Sequence, residues 1–455
     1  MVAMSAYRTT MLLAFVCGGL ALYLYGIDRP KIEQSVMQEI AEQRILPFDY
    51  RDVTTFTVKN RATSVTLEKG EDERWVIRNP LVARADSREV GNVLRALELG
   101  RVTRKIDDPD QGLEEYGLMS PHMTIALTAG NRTETLSLGD IAPVSSTLYV
   151  KRHSDEQVLL TTLGVKDFRK KSLFTFRKKE ILSFNRVSID HMTLQFGQQE
   201  FVLSRITATH GLTGDWQFQS PAKKPADKTT IGLLLMTLED LTAEEFIDPG
   251  PERNRLEKEL GLPSFAVTLG AGKRSYHMQV FHREKTGKVY AIRSPQGPIY
   301  GINPAVLRVL PQNPFDIQDR RLLGMKPEDI VLLSVKSPNT QYTLVQQHEE
   351  WIMDSHPTSR LDQKAIRLFA SRVADLRAEQ RVLEKDQNDD AALGLSPPVI
   401  EIMATDRYGR EQGQLFIGNR EKGLIYVKGT GLAGTYQARS LLLTQIPNQE
   451  TLLIE

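Results

Sequence analysis

Eight histidines, two pairs of adjacent aspartates and one basic run are the parts of this 455-residue chain whose types and spacing could do chemistry. A metal centre needs His, Cys, Asp or Glu at ligand spacing. The histidines at 122, 153, 191, 210, 277, 282, 348 and 356 are scattered, and His277 and His282, five apart, fall on opposite faces of an ideal strand. A pair of carboxylates could divide acid and base roles. Asp107 with Asp108, and Asp389 with Asp390, each stand shortly before a Gly-Leu pair, where turn and cap chemistry already accounts for them. No glycine-rich phosphate loop and no nucleophile elbow occurs. The chain therefore reads as a non-enzyme, with no catalytic residue, cofactor site or metal site.

The basic run is KDFRKKSLFTFRKK, with Lys166, Arg169, Lys170, Lys171, Arg177, Lys178 and Lys179 interleaved with three phenylalanines. Such a pattern can contact anionic headgroups or an acidic partner protein. A junction helix with a solvated charged face competes with that reading.

Whatever these residues do, a repeated module positions them. Trp75, Trp216 and Trp351 are each followed five or six residues on by Pro80, Pro221 or Pro357, and eleven on by Asp86, Asp227 or Asp362. After each aspartate, apolar residues fall at offsets of four, seven, eight and eleven, for example Val90, Val93, Leu94 and Leu97. That is the stripe of an amphipathic helix, with the aspartate placed to accept hydrogen bonds from the first-turn amides. A Gly-Leu pair follows at Gly117, Gly261 and Gly394, then a tyrosine in a strand-like run at Tyr149, Tyr290 and Tyr426. A residue present in all three copies builds the fold, since a site needs only one. The tryptophans alternate in phase with Ile77, Phe218 and Met353, which predicts a core face.

Short runs rich in β-branched and aromatic residues surround the one long helix of each copy, so the predicted fold is α+β: a mostly antiparallel sheet with a helix on one face, in three tandem copies. The junction sequences at Ile45, Ile181 and Leu322 place the copies at 45–180, 181–321 and 322–455. An LGD stretch at Leu138–Asp140 resembles LFIGN at Leu415–Asn419 in copy three and reads as a turn. Strung end to end, three such modules would reach roughly 100 Å.

Composition sets the remaining bounds. With 40% hydrophobic and 25% charged residues, each copy can bury a core, and the formal net charge of +1 does not favour a nucleic-acid partner. Cys17 is the one cysteine, so no disulfide supports the fold. Residues 9–27 carry no charge, and the 19 of them would span roughly 28 Å as a helix, enough for a hydrocarbon core of about 30 Å. The expected arrangement is a cytoplasmic N-terminus at 1–8, a transmembrane helix at 9–27, a juxtamembrane stalk at 28–44, and the three copies outside the cytoplasmic membrane, facing the periplasm. A cleaved signal peptide is the alternative, although no small-x-small site follows the apolar run.

YGIDRPK after the apolar run, ILPFD at the start of the first copy, the Trp strand, the capped helix, DDPDQGLEEYGLMSP and LSLGD together resemble the bacterial DUF4340 family, a domain of unknown function. The match is close over copy one and weaker over the others: copy two lacks the LGD stretch, and copy three has LGLSPP where copy one has YGLMSP. The resemblance implies a membrane-anchored protein associated with ABC-transport components of the gliding-motility type, with an accessory role. The expected function is an extracytoplasmic scaffold or adaptor for transporter or envelope proteins. The alternative is a glycan- or lipid-binding module using the basic cluster or a groove between copies.

Overall fold

The structure, a computed structural model, describes residues 11, 39–40, 42–61, 63–107, 112–143, 147–163, 171–206, 214–338, 340–382, 389–407, 409, 412–441 and 446. In the first copy β1 (Val53–Asn60), β2 (Ser64–Lys69), β3 (Trp75–Asn79) and β4 (Ala83–Arg84) form a meander. Helix α1 (Ser87–Leu99) then carries the chain across to β5 (Val102–Ile106), after which β6 (Met123–Ala129), β7 (Arg132–Ile141), β8 (Leu148–Arg152) and β9 (Val158–Thr161) fill the space behind it. The resulting order is β4-β3-β2-β1-β6-β7-β8-β9-β5, antiparallel at every pairing. The two ends of the helix therefore lie at opposite edges of the sheet.

The alternation of side chains decides which face is buried. β6 buries Met123, Ile125, Leu127 and Ala129 and leaves its threonines half-exposed on the other face. Val90, Val93, Leu94 and Leu97 of α1 are buried and belong to the same core as Phe56, Leu67, Trp75, Ile77 and Leu136. One apolar face is thus covered by one apolar stripe, and the opposite, polar face needs no cover.

The third copy repeats this order without, among the described residues, a counterpart of β4. Glu350–Met353, Thr340–Gln347, Ile330–Ser337, Ile400–Asp406, Gln412–Glu421, Leu424–Gly429 and Leu432–Arg439 lie side by side, with Gln380–Arg381 at the far edge. In the second copy Lys224–Pro225, Trp216–Ser220, Gln199–Arg205, His191–Phe196, Phe265–Ala271, Arg274–Arg283, Lys288–Ile292 and Ile299–Ile302 run in the corresponding order. A single turn, α2 (Leu173–Phe176), lies near the end of copy one. The sheet-covering helices are α3 (Lys228–Asp240) in copy two and α5 (Gln363–Ala374) in copy three, and copy two adds α4 (Pro251–Leu260). Three antiparallel sheets with few helices make an α+β to mostly β architecture.

Contacts divide the chain into two compact units, Met1–Ile181 with Thr242–Ile247, and Leu182–Leu241 with Asp248–Glu455. Among the described residues no helix is long and apolar enough to cross a membrane. The span expected at 9–27 lies, apart from Met11, outside the described residues.

Candidate functional site

The shared residues occupy structural positions. Trp75, Trp216 and Trp351 are buried. Asp86 accepts from the amides of Arg88 and Glu89 at the N-terminus of α1, Asp227 from Thr230 in α3 and Asp362 from Ala365 in α5. Gly117, Gly261 and Gly394 have φ of 65°, 68° and 70°, the left-handed region that penalises any other side chain. Tyr290 is buried, whereas Tyr149 packs edge-on against Tyr116 at 4.8 Å and Tyr426 bonds Glu421.

LGD is not a turn, contrary to the sequence reading. It lies within β7 at a bulge, where the pairing with β8 slips between Leu138 and Ile141. The Asp140 amide donates to the Tyr116 carbonyl at 2.8 Å, and a Cβ on Gly139 would stand 2.1 Å from that oxygen. Copy three repeats the arrangement, with the Asn419 amide 2.8 Å from the Leu393 carbonyl and a Cβ on Gly418 placed 2.2 Å from it. Glycine is needed because the Gly-Leu turn docks its backbone directly on the strand. Phe281 takes the equivalent place in copy two by strand register, and there α4 leads into Gly261 instead.

The chemically suggestive residues are also placed. Asp389 accepts from the Ala392 amide at 2.9 Å, and Asp390 pairs with Lys428 at 2.6 Å. Asp107 bonds Gln157, and Asp108 lies outside the described residues. His122 pairs with Asp140 at 2.7 Å and His277 bonds Thr268 at 3.0 Å. Among the described residues no group of three or more His, Cys, Asp or Glu is placed to hold a metal ion.

Lys166, Arg169 and Lys170 of the basic run lie outside the described residues. In unit one Phe176 is fully buried, 5.7 Å from Phe56, and Arg177 is buried with its guanidinium 3.9 Å above the Phe246 ring. Lys171 pairs with Glu89 at 3.0 Å, Lys178 with Glu180, and Lys179 lies 4.9 Å over Phe174. These described members are committed to packing and pairing, and the spacing of charges in the sequence does not reveal which of them turn inward.

The sequence places the junctions but not the way they are bonded. In unit two the segment that ends copy two is bonded on both sides by backbone groups. The Asp227 amide donates to Ile317 and the Asp319 amide to Pro225, on the copy-two side. The Leu322 amide donates to Leu376 and the Ala378 amide to Arg320, on the copy-three side. Unit one contains the same pattern, with Asp86 to Phe176, Lys178 to Arg84, and Ala243 to Lys179. Each junction is a strap, pairing with the residues before one sheet-covering helix and the residues after the next.

Beside the strap of unit two lies a cleft of about 840 Å³. Asp319 holds Arg321 with two oxygens and raises its pKa, and Asp227 holds Arg377. Burial alone would push the Asp227 carboxyl up, yet the Thr230 amide and Arg377 outweigh it and hold the group below the usual carboxylate range. Lys224, half-buried, donates to Gln318 at 2.7 Å and lies 4.9 Å from the Phe218 ring. Burial, then the charge of Arg381, lowers its pKa from the ordinary lysine value.

The family described as Domain of unknown function (DUF4340) matches this chain twice, over residues 75–252 and 216–398. Together these matches cover residues 75 to 398 of the 455, well over half. No curated protein and no solved structure matches the chain. Both family matches begin at a signature tryptophan and run through one strap into the following copy.

Proposed function

The chain belongs to the DUF4340 family, and we propose that it is a non-enzymatic scaffold: a membrane-anchored string of modules that holds transporter or envelope proteins outside the cytoplasm. The straps carry this reading. Amides on both sides of residues 317–322 are bonded, so the segment joining copies two and three is built as structure rather than as a flexible tether. A chain that fixes copy three against copy two suits a role in which the geometry of attachment matters. The residues common to all copies are spent on core, caps and turns, which leaves the surfaces free to differ. The anchor rests on the uncharged run 9–27, and the transport partner on the family resemblance.

In-cell crosslinking of the full chain, with identification of what co-purifies, tests the proposal. A scaffold should capture a defined set of envelope proteins, and removal of 322–455 should lose part of that set. An unchanged set after that deletion would contradict it.

A further inference from the structure

The two straps are equivalent in backbone bonding, yet the space beside them is filled differently. In unit one the position is plugged by aromatics: Phe246 packs 5.8 Å from Phe174 and carries Arg177 on its face. The same bonding pattern maps Phe174 onto Phe315, Arg177 onto Gln318 and Phe246 onto Arg381. Ala83, eight residues after Trp75, corresponds to Lys224, eight after Trp216. In unit two Phe315 stacks instead on Tyr436 at 5.9 Å, at the wall of the cleft, and two cations, Lys224 and Arg381, stand where unit one has Ala83 and Phe246.

Its charge is unbalanced. Six basic residues line the cleft against three aspartates. Asp227 is taken by Arg377, Asp319 by Arg321, and Asp215 lies 3.8 Å from Lys228. Lys224, Lys326 and Arg381 have no acidic partner among the described residues. Lys224 meets only a neutral amide and an aromatic face while Arg381 repels it, which is a costly placement for an ammonium unless an anion joins it. Three uncompensated cations suit a group carrying close to two negative charges better than a single carboxylate.

We infer that the cleft between copies two and three binds a phosphate group through Lys224, Lys326 and Arg381. The bound phosphate replaces the aromatic plug of the other junction with a charged one. This goes beyond the scaffold role and does not depend on it: the strap can be stiff whether or not the cleft is filled.

The test is calorimetric titration of the full chain in non-ionic detergent with inorganic phosphate, glycerol phosphate and, below its micelle concentration, dihexanoyl phosphatidic acid, whose headgroup is likewise a phosphomonoester. Saturable binding that weakens with salt is expected. Arg381→Phe rebuilds the plug of unit one and should weaken binding by at least about tenfold, as should Lys224→Gln. Lys326 is exposed, so Lys326→Gln leaves the fold intact and should weaken binding about threefold or more even if the other variants misfold. Binding of the lipid identifies a headgroup as the source, and binding of the two soluble phosphates alone identifies a free phosphate. Absence of saturable binding by all three ligands, or affinity unchanged in every folded variant, overturns the inference.

Discussion

Replacing Asp227 by Ala is expected to cost more than the same change at its counterparts, because it alone serves two copies at once. Asp86 and Asp362 cap their helices, and losing such a cap costs about 1 kcal/mol. Asp227 caps α3 and also holds Arg377 from copy three, with its own side chain 5% exposed and that of Arg377 42% exposed. A charge-assisted bond at a site this buried on one side and open on the other adds about 1 to 2 kcal/mol after discounting for solvent. Asp227→Ala should therefore cost about 2 to 3 kcal/mol. Asp227→Asn keeps a good capping residue while removing the charge, so it should lose only the second part. Because several modules do not unfold as one, helix-resolved hydrogen exchange is the appropriate assay. The pair also sets a pH response. The folded carboxyl titrates below its unfolded value, so its stabilisation is complete above the unfolded pKa and drains as pH falls through the folded one. An Asp227→Ala variant no worse than Asp362→Ala, or equally acid-sensitive to the parent chain, would refute the double role.

Other perturbations follow from the same contacts. Trp351→Ala should destabilise copy three by about 3 to 5 kcal/mol, read as faster exchange in strands 330–353 with the first sheet unaffected. Gly418→Ala should disrupt the docking of the 393–395 turn, read as lost protection of the Asn419 amide. In copy two Phe281→Ala at the equivalent position meets no such backbone clash and instead loses packing. Arg177→Ala should lower the stability of unit one, measured by thermal denaturation, because the guanidinium is buried against Phe246. Lys224→Met should leave stability unchanged or raise it at neutral pH. A lysine with a lowered folded pKa costs stability while protonated, and that cost fades as pH rises above the folded value.

The sheet-covering helices were legible because burial writes a 3.6-residue period: the predicted stripe Ile366, Phe369, Ala370 and Val373 is buried in α5, whereas α4, a second helix in copy two, was not expected. The aspartate caps were legible for a similar reason, since local chemistry fixes them. LGD was misread because glycine marks a turn and a close backbone approach equally well in sequence, and only the carbonyl of Tyr116 distinguishes the two. The basic run hid its inward members, as Phe176 and Arg177 differ from their neighbours in direction and not in type. The straps' position was legible from the junction sequences, but their bonding left no signature because it runs through backbone amides, which every non-proline residue carries. The cleft was invisible for a further reason: Lys224, Lys326 and Arg381 are spread over more than 150 positions and meet only through the strap.

The stiffness of the junction is the claim on which the scaffold reading stands, and peptide-resolved hydrogen exchange over residues 315–322 and 376–378 measures it most directly. The Asp319, Leu322 and Ala378 amides should exchange as slowly as those of neighbouring strands, since each donates to a carbonyl across the strap. Exchange at the rate of an unstructured peptide would mean that copies two and three are joined by a loose tether, which contradicts a scaffold of fixed spacing.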